Sequence, residues 1–419
     1  MGSFYIKGAK KLCGEVNISG SKNEALKLIP LAICIKSEIS IGNVPKILDI
    51  NSQLDVFKFL GGKVEFNERL ILDSRNINNS SIVCESAKSL RASIVYLGPL
   101  LARFKRAQIP FPGGCAIGLR PIDTHLNAFR ALGANVTHEN DTITLTIDDI
   151  KTEKITLDER SVSATENILL FLSAINCKVL VSNCAIEPEI MHLVGILNNA
   201  GARIRLVNDR MFKVEGCDNL TTNSIEVMPD RIEAGTFAIA FLATGGEGEI
   251  KPFESEFLKN IIDVLRECGA NIEIDSERKI CRIKSSKYYK TFSIKTGPYP
   301  GFPTDLQSPM ALIASRAQGV SEIHETMFEN RLGYLESLGK MGMKYKIIDK
   351  SRVQIYGPCD LKSSNLESLD LRSGITMLLA GIMAEGESVI KNAEVIDRGY
   401  ENIEEKLIKL GADIKRSDG

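Results

Sequence analysis

A loop rich in proline and glycine carries the most reactive-looking side chain of this sequence, the thiol of Cys115. Residues 111–121 read Phe-Pro-Gly-Gly-Cys-Ala-Ile-Gly-Leu-Arg-Pro. Proline fixes backbone angles and glycine allows close approaches that a side chain forbids, so this segment is expected to be a loop rather than core. The permanent charge of Arg120 favours the thiolate form of a nearby cysteine. A thiol beside a cation suits chemistry on an anionic substrate, and an inert loop cysteine is the alternative.

Charged and polar residues recur at the starts of six apolar, helix-like stretches. A helix N-terminus offers unpaired N–H groups and a partial positive charge, which together form an anion site. We expect these starts to create an electropositive cleft for a phosphorylated, carboxylated substrate. For any single residue, helix capping or a surface ion pair is the alternative. The residues concerned are Lys22, Asn23, Arg91, Arg231, Asp305, Asp370 and Arg372.

The elements that must position these residues form an internal repeat. A helix-like stretch ends in an apolar residue, then glycine, then a short alternating strand, at Gly61, Gly133, Gly201, Gly269, Gly342 and Gly411. The spacings between these glycines are 72, 68, 68, 73 and 69 residues. The glycine position is typical of a left-handed helix stop. Six units of about 70 residues therefore account for the whole chain.

Each unit predicts a buried helix, a strand, a second helix, the glycine stop and two further strands. Helices that are apolar on most faces are buried inside their domain. The fold class is therefore α/β, with two similar domains of three units each. We expect one domain at 21–229, carrying the Cys115 loop, and the other at 1–20 together with 230–419.

Composition excludes several classes of function. The 419-residue chain is 44% hydrophobic and 25% charged with a net charge of −1, so no basic field recruits nucleic acid or an anionic membrane. No apolar run reaches the roughly 18 residues of a membrane span. The ten cysteines include no Cys-x-x-Cys pair and the four histidines are dispersed, which argues against a metal site and a disulfide framework. We expect a cytoplasmic enzyme, and the sequence leaves its oligomeric state unknown.

Several segments together resemble the UDP-N-acetylglucosamine enolpyruvyl transferase (1-carboxyvinyltransferase) family. The resemblance covers essentially the whole chain, and its most specific motifs are the cysteine loop and Ile396-Asp-Arg-Gly-Tyr-Glu401. It implies a fold of two inside-out α/β barrels, each of three repeats, with the active site in the interdomain cleft. The other matching segments are Gly20-Ser-Lys-Asn23, Leu90-Arg-Ala-Ser93, Pro229–Phe237, Phe302-Pro-Thr-Asp305, Phe328-Glu-Asn-Arg331 and Asp370-Leu-Arg372.

The resemblance also implies a reaction. Members of the family transfer the enolpyruvyl group of phosphoenolpyruvate to the 3-hydroxyl of UDP-N-acetylglucosamine and release phosphate, the first committed step of peptidoglycan synthesis. The chemistry is addition followed by elimination, and neither a cofactor nor a metal is implied. Phosphoenolpyruvate carries close to three negative charges, so several cations must converge on it.

Site roles follow from the same resemblance. Cys115 would donate a proton to phosphoenolpyruvate and form the covalent adduct with fosfomycin, Asp305 would accept the sugar hydroxyl proton, and Asp370 would assist proton transfer from the opposite side. Phosphoenolpyruvate would contact Cys115 and be held through its phosphate by Lys22, Arg120 and Arg398, and through its carboxylate by Arg331 and Arg372; Lys22 and Arg398 count as catalytic. The sugar nucleotide would be bound by Asn23, Arg91, Arg120, Pro121, Ile122, Asp123, Thr124, Ser161, Val162, Ser163, Asp305 and Met327.

Some positions depart from the family pattern. Val395 stands where the family usually has His, and Gly333-Tyr334 where it commonly has Met-His. Ser163 replaces a Gly that lines the nucleotide pocket, and Ser373 replaces Ala. These departures leave open transfer to another nucleotide sugar or a nucleoside, or a catalytically silent regulatory paralogue. The shikimate-3-phosphate enzyme shares fold and chemistry, but the Cys115 loop argues against it.

The proton-donor role of Cys115 predicts opposite results for two substitutions. Cys115→Asp retains turnover because a carboxylic acid also donates a proton, but it is no longer inactivated covalently by fosfomycin. Cys115→Ser is nearly inactive because a hydroxyl is too weak an acid at neutral pH. Phosphate release with and without fosfomycin measures both effects, and equal activity of the Ser variant and the wild type would exclude this role.

Overall fold

The computed structural model describes residues 2–111 and 122–417. These residues form two compact units. The terminal unit contains residues 2–19 and 229–417, and the central unit contains residues 20–111 and 122–228. Each unit has its own hydrophobic core.

The elements follow one another in a regular order. The helices are α1 (Lys22–Ile35), α2 (Leu48–Phe59), α3 (Glu85–Ser89), α4 (Leu97–Phe104), α5 (Asp123–Leu132), α6 (Val162–Ser173), α7 (Pro188–Asn199), α8 (Arg231–Thr244), α9 (Lys259–Glu267), α10 (Thr304–Ala314), α11 (Tyr334–Lys340), α12 (Leu371–Met383), α13 (Glu394–Asp397) and α14 (Ile403–Lys409), with 3-10 turns at Arg91–Tyr96 and Ser255–Leu258. The strands are β1 (Ser3–Lys7), β2 (Cys13–Asn17), β3 (Glu38–Gly42), β4 (Lys63–Phe66), β5 (Leu70–Asp73), β6 (Arg106–Pro110), β7 (Asn135–Glu139), β8 (Thr142–Thr146), β9 (Lys154–Thr156), β10 (Lys178–Ser182), β11 (Arg203–Asn208), β12 (Met211–Glu215), β13 (Ser224–Glu226), β14 (Glu247–Lys251), β15 (Asn271–Asp275), β16 (Ile280–Lys284), β17 (Ser293–Lys295), β18 (Gly319–His324), β19 (Lys344–Ile347), β20 (Arg352–Gly357), β21 (Asn365–Glu367), β22 (Glu387–Lys391) and β23 (Asp413–Ser417).

The predicted repeat is confirmed. The order inner helix, strand, outer helix, glycine, strand, strand recurs, for example as α1, β3, α2, β4 and β5. In the sixth copy the final strand is β1, which comes from the other end of the chain and pairs antiparallel with both β22 and β23. The predicted glycine stops all have φ between 97° and 119°, the left-handed conformation that favours glycine.

Six sheets surround the inner helices of the described residues. The terminal unit holds the strand orders β21-β22-β1-β23, β15-β16-β14-β2 and β17-β18-β20-β19, and the central unit holds β13-β3-β5-β4, β6-β8-β7 and β11-β12-β10-β9. The strand that precedes α1, β2, pairs in parallel with β14, and the strand that precedes α8, β13, pairs in parallel with β3. Among residues 2–111 and 122–417, the chain passes from one unit to the other directly before α1 and directly before α8.

The inner helices are buried on every face. In α1 all residues but Asn23 are buried, and in α8 all but Thr244. Within each unit the inner helices contact one another, α1, α4 and α6 in the central unit and α8, α10 and α12 in the terminal unit. The expected helix start at residues 90–95, beside Arg91, needs correction. Arg91–Tyr96 forms a 3-10 turn, and the α-helix begins at Leu97.

Two further observations concern the described residues only. No helix there has both the length and the apolar character that a membrane crossing needs. The cysteines described are all free thiols.

Candidate active site

A carboxylate that accepts hydrogen bonds from two arginines lies where two inner helices of the terminal unit begin. Asp305 is the second residue of α10, and Arg372 is the second residue of α12. Arg331 and Arg372 each donate an Nη2 hydrogen bond to Asp305, to Oδ1 at 2.7 Å and to Oδ2 at 2.9 Å. Both arginine side chains are 6% exposed, whereas that of Asp305 is 25% exposed. The structure therefore brings three of the predicted site residues together.

The electrostatics of this cluster follow from burial and charge. Burial by itself would raise the pKa of Asp305, but Arg372 and Arg331 hold it well below its usual range. In the same way, burial disfavours the charge of Arg372, and Asp305 more than offsets this and raises the arginine pKa. Two cations share one anion, so these three side chains together carry one positive charge, which an anionic ligand can neutralise.

Neighbouring residues fix the two arginines. Gln307 donates from Nε2 to the carbonyl oxygen of Arg331 (3.1 Å) and accepts from the hydroxyl of Tyr334 (3.0 Å). At the start of α12 the Asp370 carboxylate accepts from the backbone N–H groups of Arg372 (2.9 Å) and Ser373 (3.2 Å), and the Ser373 hydroxyl accepts from the Asp370 N–H (3.1 Å). Two departures from the family pattern, Tyr334 and Ser373, thus support the arginines.

The other predicted residues of the terminal unit lie as follows. Asp370 serves as the N-cap of α12. Met327 is exposed, and its N–H donates to the buried carboxylate of Glu325 at 2.6 Å. Arg398 is exposed directly after α13.

In the central unit, Lys22 and Asn23 form the first turn of α1. The Lys22 ammonium pairs with Asp49 Oδ2 at 2.7 Å, a partner that lies on α2. The carbonyl oxygen of Asn23 accepts from Lys27 at 2.8 Å, and Lys27 in turn pairs with the buried Glu166 at 3.0 Å. The first turn of α1 therefore carries a cation and a half-buried amide on a fixed backbone. The sequence does not mark Asp49 as the partner of Lys22, because Asp49 lies in an outer helix without a distinctive motif.

The segment predicted for the nucleotide forms the start of α6. Ser161 is the N-cap and accepts from the N–H of Ala164 at 3.3 Å. The Ser163 hydroxyl lies 3.0 Å from Nε2 of His125, whose Nδ1 lies 3.0 Å from the amide nitrogen of Asn167. Since that amide can only donate, Nδ1 accepts and Nε2 donates to Ser163. His125, which the sequence offered only as a dispersed histidine, thus ties α5 to Ser163.

Of the remaining predicted residues, Ile122 and Thr124 are buried at the start of α5 and Asp123 is exposed there. Arg91 opens the 3-10 turn before α4, and Val162 opens α6. Cys115, Arg120 and Pro121 lie outside the described residues. Within 2–111 and 122–417, no three His, Cys, Asp or Glu side chains converge as metal ligands do.

Comparison with solved structures identifies the fold. The enolpyruvyl transferase NikO from Streptomyces tendae superposes with a TM-score of 0.90 over 99% of both chains, at 21% identity. The EPSP synthase of Acinetobacter baumannii gives a TM-score of 0.77 over the full length of both chains, at 17% identity. The family model for EPSP synthase (3-phosphoshikimate 1-carboxyvinyltransferase) matches residues 6–407. The chain thus has the enolpyruvyl transferase fold, as predicted.

Sequence relatives narrow this class to one family. The UDP-N-acetylglucosamine 1-carboxyvinyltransferase of Desulforapulum autotrophicum is 40% identical over 99% of this chain and 100% of its own. UDP-N-acetylglucosamine 1-carboxyvinyltransferase 2 of Bacillus subtilis is 39% identical over 99% of this chain and 97% of its own. The chain belongs to the UDP-N-acetylglucosamine 1-carboxyvinyltransferase family, which confirms the resemblance.

The arginine cluster predicts the effect of Asp305→Asn on stability. The variant leaves two buried guanidinium groups without their carboxylate, so it destabilises the terminal unit by about 2–4 kcal/mol. The pKa of Asp305 is depressed in the folded protein. The ionised carboxylate therefore contributes fully to the free energy of unfolding above pH 3.8, its ordinary pKa, and this stabilisation is lost only as pH falls below that value. Urea unfolding should therefore show the same loss at every pH from about 5 to 8.

Asp349→Asn is the matched control for that experiment. Asp349 also pairs with an arginine, Arg352 at 2.6 Å, but both side chains are at least 40% exposed. Solvent weakens such a pair, so its removal changes stability little. An equally small effect of Asp305→Asn would contradict the claim that the ion pairs of Asp305 with the two buried arginines stabilise the terminal unit.

Proposed function

We propose that this protein transfers the enolpyruvyl group of phosphoenolpyruvate to the 3-hydroxyl of UDP-N-acetylglucosamine, with release of phosphate, as the first committed step of peptidoglycan synthesis. The observation that carries the proposal is the Asp305 carboxylate between Arg331 and Arg372. It supplies a base and two cations in one place. Near-full-length relatives that bear this activity in their names support the choice of substrates.

We assign Asp305 as the base toward the sugar hydroxyl. The two arginines keep it ionised at neutral pH, so it can accept a proton. An aspartate with so depressed a pKa is a weak base while both arginines face it. When the carboxylate of phosphoenolpyruvate binds Arg331 and Arg372, it takes over part of their charge and raises the Asp305 pKa. Substrate binding thereby strengthens the base at the moment it is needed.

The remaining roles are proposals of the same kind. Cys115 delivers the proton to the methylene carbon, and Asp370 assists proton transfer from the opposite side. Lys22, Arg120 and Arg398 hold the phosphate. Lys22 is supported by its place on the first turn of an inner helix, where the helix dipole adds to its charge. The ketal intermediate then loses phosphate, whose charge is held by these cations, while its methyl group returns a proton to the Cys115 thiolate left by the addition step, which restores the vinyl double bond.

The proposed nucleotide site uses the starts of α5 and α6. Both starts present backbone N–H groups to an anion, which suits a diphosphate. Residues proposed to line it are Asn23, Arg91, Arg120, Pro121, Ile122, Asp123, Thr124, Ser161, Val162, Ser163, Asp305 and Met327. The Ser163 hydroxyl, held by His125, adds a polar group to this proposed site.

Two coarser proposals accompany the reaction. We propose that the terminal and central units are the two three-repeat domains of the sequence prediction. We also propose that the protein acts in the cytoplasm; the free thiols of the described cysteines are compatible with that reducing compartment.

The function predicts a strict requirement for two substrates. Phosphate release should occur with phosphoenolpyruvate and UDP-N-acetylglucosamine together and with neither alone. Asp305→Asn should lower kcat by about 100-fold or more, because it removes the base. Asp349→Asn, which removes an exposed aspartate–arginine pair, should retain wild-type kcat. A continuous phosphate assay measures all five conditions: the wild type with both substrates and with each alone, and the two variants with both substrates.

The negative outcomes of this assay are informative. No release with intact binding of UDP-N-acetylglucosamine would identify a silent paralogue. No release and no binding, followed by release with another nucleotide sugar or a nucleoside, would identify a different acceptor. Either outcome contradicts the proposed function.

A further inference from the structure

Two buried glutamates occupy equivalent places in the two units. Glu24 and Glu233 are each the third residue of a 14-residue inner helix, α1 and α8 respectively. Each accepts a hydrogen bond from a backbone N–H at the point where the chain leaves that unit. Met228 N–H donates to Glu24 Oε2 at 2.6 Å, and Ser19 N–H donates to Glu233 Oε2 at 2.8 Å.

Met228 and Ser19 are also held through their backbone carbonyl groups. The carbonyl of Met228 accepts from the N–H of Ser21 at 2.7 Å, and that of Ser19 accepts from the N–H of Asp230 at 2.9 Å. Ser21 and Asp230 are the N-caps of α1 and α8. The N–H and C=O of Met228 are therefore both fastened to the first turn of α1, which includes Lys22 and Asn23.

The second oxygen of each glutamate has a different partner in the two units. Glu24 Oε1 bonds Nδ1 of His192, which lies on α7. Glu233 Oε1 bonds the ammonium of Lys406 at 2.5 Å. A lysine keeps its charge to about pH 10, whereas a histidine loses it near neutrality. Glu233 is therefore paired with a side chain that stays charged, whereas Glu24 is paired with one that titrates.

We infer that Glu24 and His192 form a positioning clamp, in which the Glu24 carboxylate holds the Met228 peptide on the first turn of α1 and thereby fixes Lys22 and Asn23 for substrate binding. The effect on substrate rests on the proposed function. The effect on the Met228 peptide does not, because it follows from hydrogen bonds within the central unit.

The charges around the clamp determine its pH dependence. Burial raises the pKa of Glu24, and the charge of Glu189 on α7 raises it further. His192 and the Met228 N–H partly offset this increase. The hydrogen bond to Glu24 raises the pKa of His192. Glu189 also faces Glu166 of α6, which pairs with Lys27 of α1. Because both pKa values in the pair are raised, the folded clamp binds protons, and its stability falls as pH rises through the His192 pKa.

The clamp can be tested directly at the Met228 amide. Protein labelled with [15N]methionine reports hydrogen exchange at Met228 and, in the same spectrum, at Met191, whose N–H donates at 3.1 Å to the carbonyl oxygen of Glu187, the N-cap of α7. Between pH 6 and pH 9 the protection factor of Met228 should fall by about tenfold. That of Met191 should stay constant, because α7 itself does not open.

Two substitutions at His192 separate the clamp from ordinary packing. The His192 side chain is 43% exposed, so both variants are expected to fold. His192→Lys reproduces the Glu233–Lys406 arrangement and should make Met228 protection independent of pH over that range. His192→Ala should lower Met228 protection at pH 6 to the level that the wild type shows at pH 9. Equal and pH-independent protection in the wild type and His192→Ala would overturn the inference.

Kinetics test the effect on substrate. His192→Ala should raise the KM for phosphoenolpyruvate about tenfold, and His192→Lys should restore the wild-type KM. Unchanged KM in His192→Ala, with lowered Met228 protection, would contradict the link to Lys22 and Asn23. If the wild-type protein shows no turnover with the two substrates, the proposed function fails, and the exchange experiment still tests the clamp.

Discussion

The inner helices have no solvent face, and this constraint determines where charge stands in the molecule. A helix enclosed by sheets and by other helices must be largely apolar beyond its first two turns, as α1 and α8 are. Its first N–H groups still need partners, because an unpaired buried donor costs about 1–3 kcal/mol. Polar residues are therefore concentrated at the helix starts, as Ser21, Ser161, Asp230 and Asp370 show. The same starts carry the residues proposed for chemistry.

Part of the charge at and near these starts is compensated within each unit before any substrate arrives. Lys22 faces Asp49, and Arg331 and Arg372 share Asp305. A pair of this kind keeps buried cations in place, and it also gives an anionic substrate something to displace. The carboxylate that is displaced is the one proposed to act as base. In the proposed mechanism, substrate binding and activation of the base are coupled through a single set of hydrogen bonds.

The sequence predicted the repeat, the glycine stops and the helix starts because each is a local pattern. It did not predict that β1 completes the sixth repeat or that β2 and β13 join distant sheets, since a strand segment does not encode its partner. The Asp305 cluster joins residues 26 and 67 positions apart in the chain, which periodicity cannot reveal. Tyr334 and Ser373 stood out only as departures from a family pattern, and their supporting bonds became visible in the fold. His125 and His192 gave no signal because their partners are on other helices.

The central claim, enolpyruvyl transfer by addition and elimination, is tested most directly by running the reaction in D2O and analysing the sugar nucleotide by mass spectrometry and NMR. The account predicts UDP-N-acetylglucosamine that has gained one carboxyvinyl group at its 3-oxygen, with deuterium in the vinyl methylene, because a solvent-derived proton enters that carbon before elimination. A carboxyvinyl product free of deuterium would contradict the addition step. Recovery of unmodified sugar nucleotide would contradict the function itself.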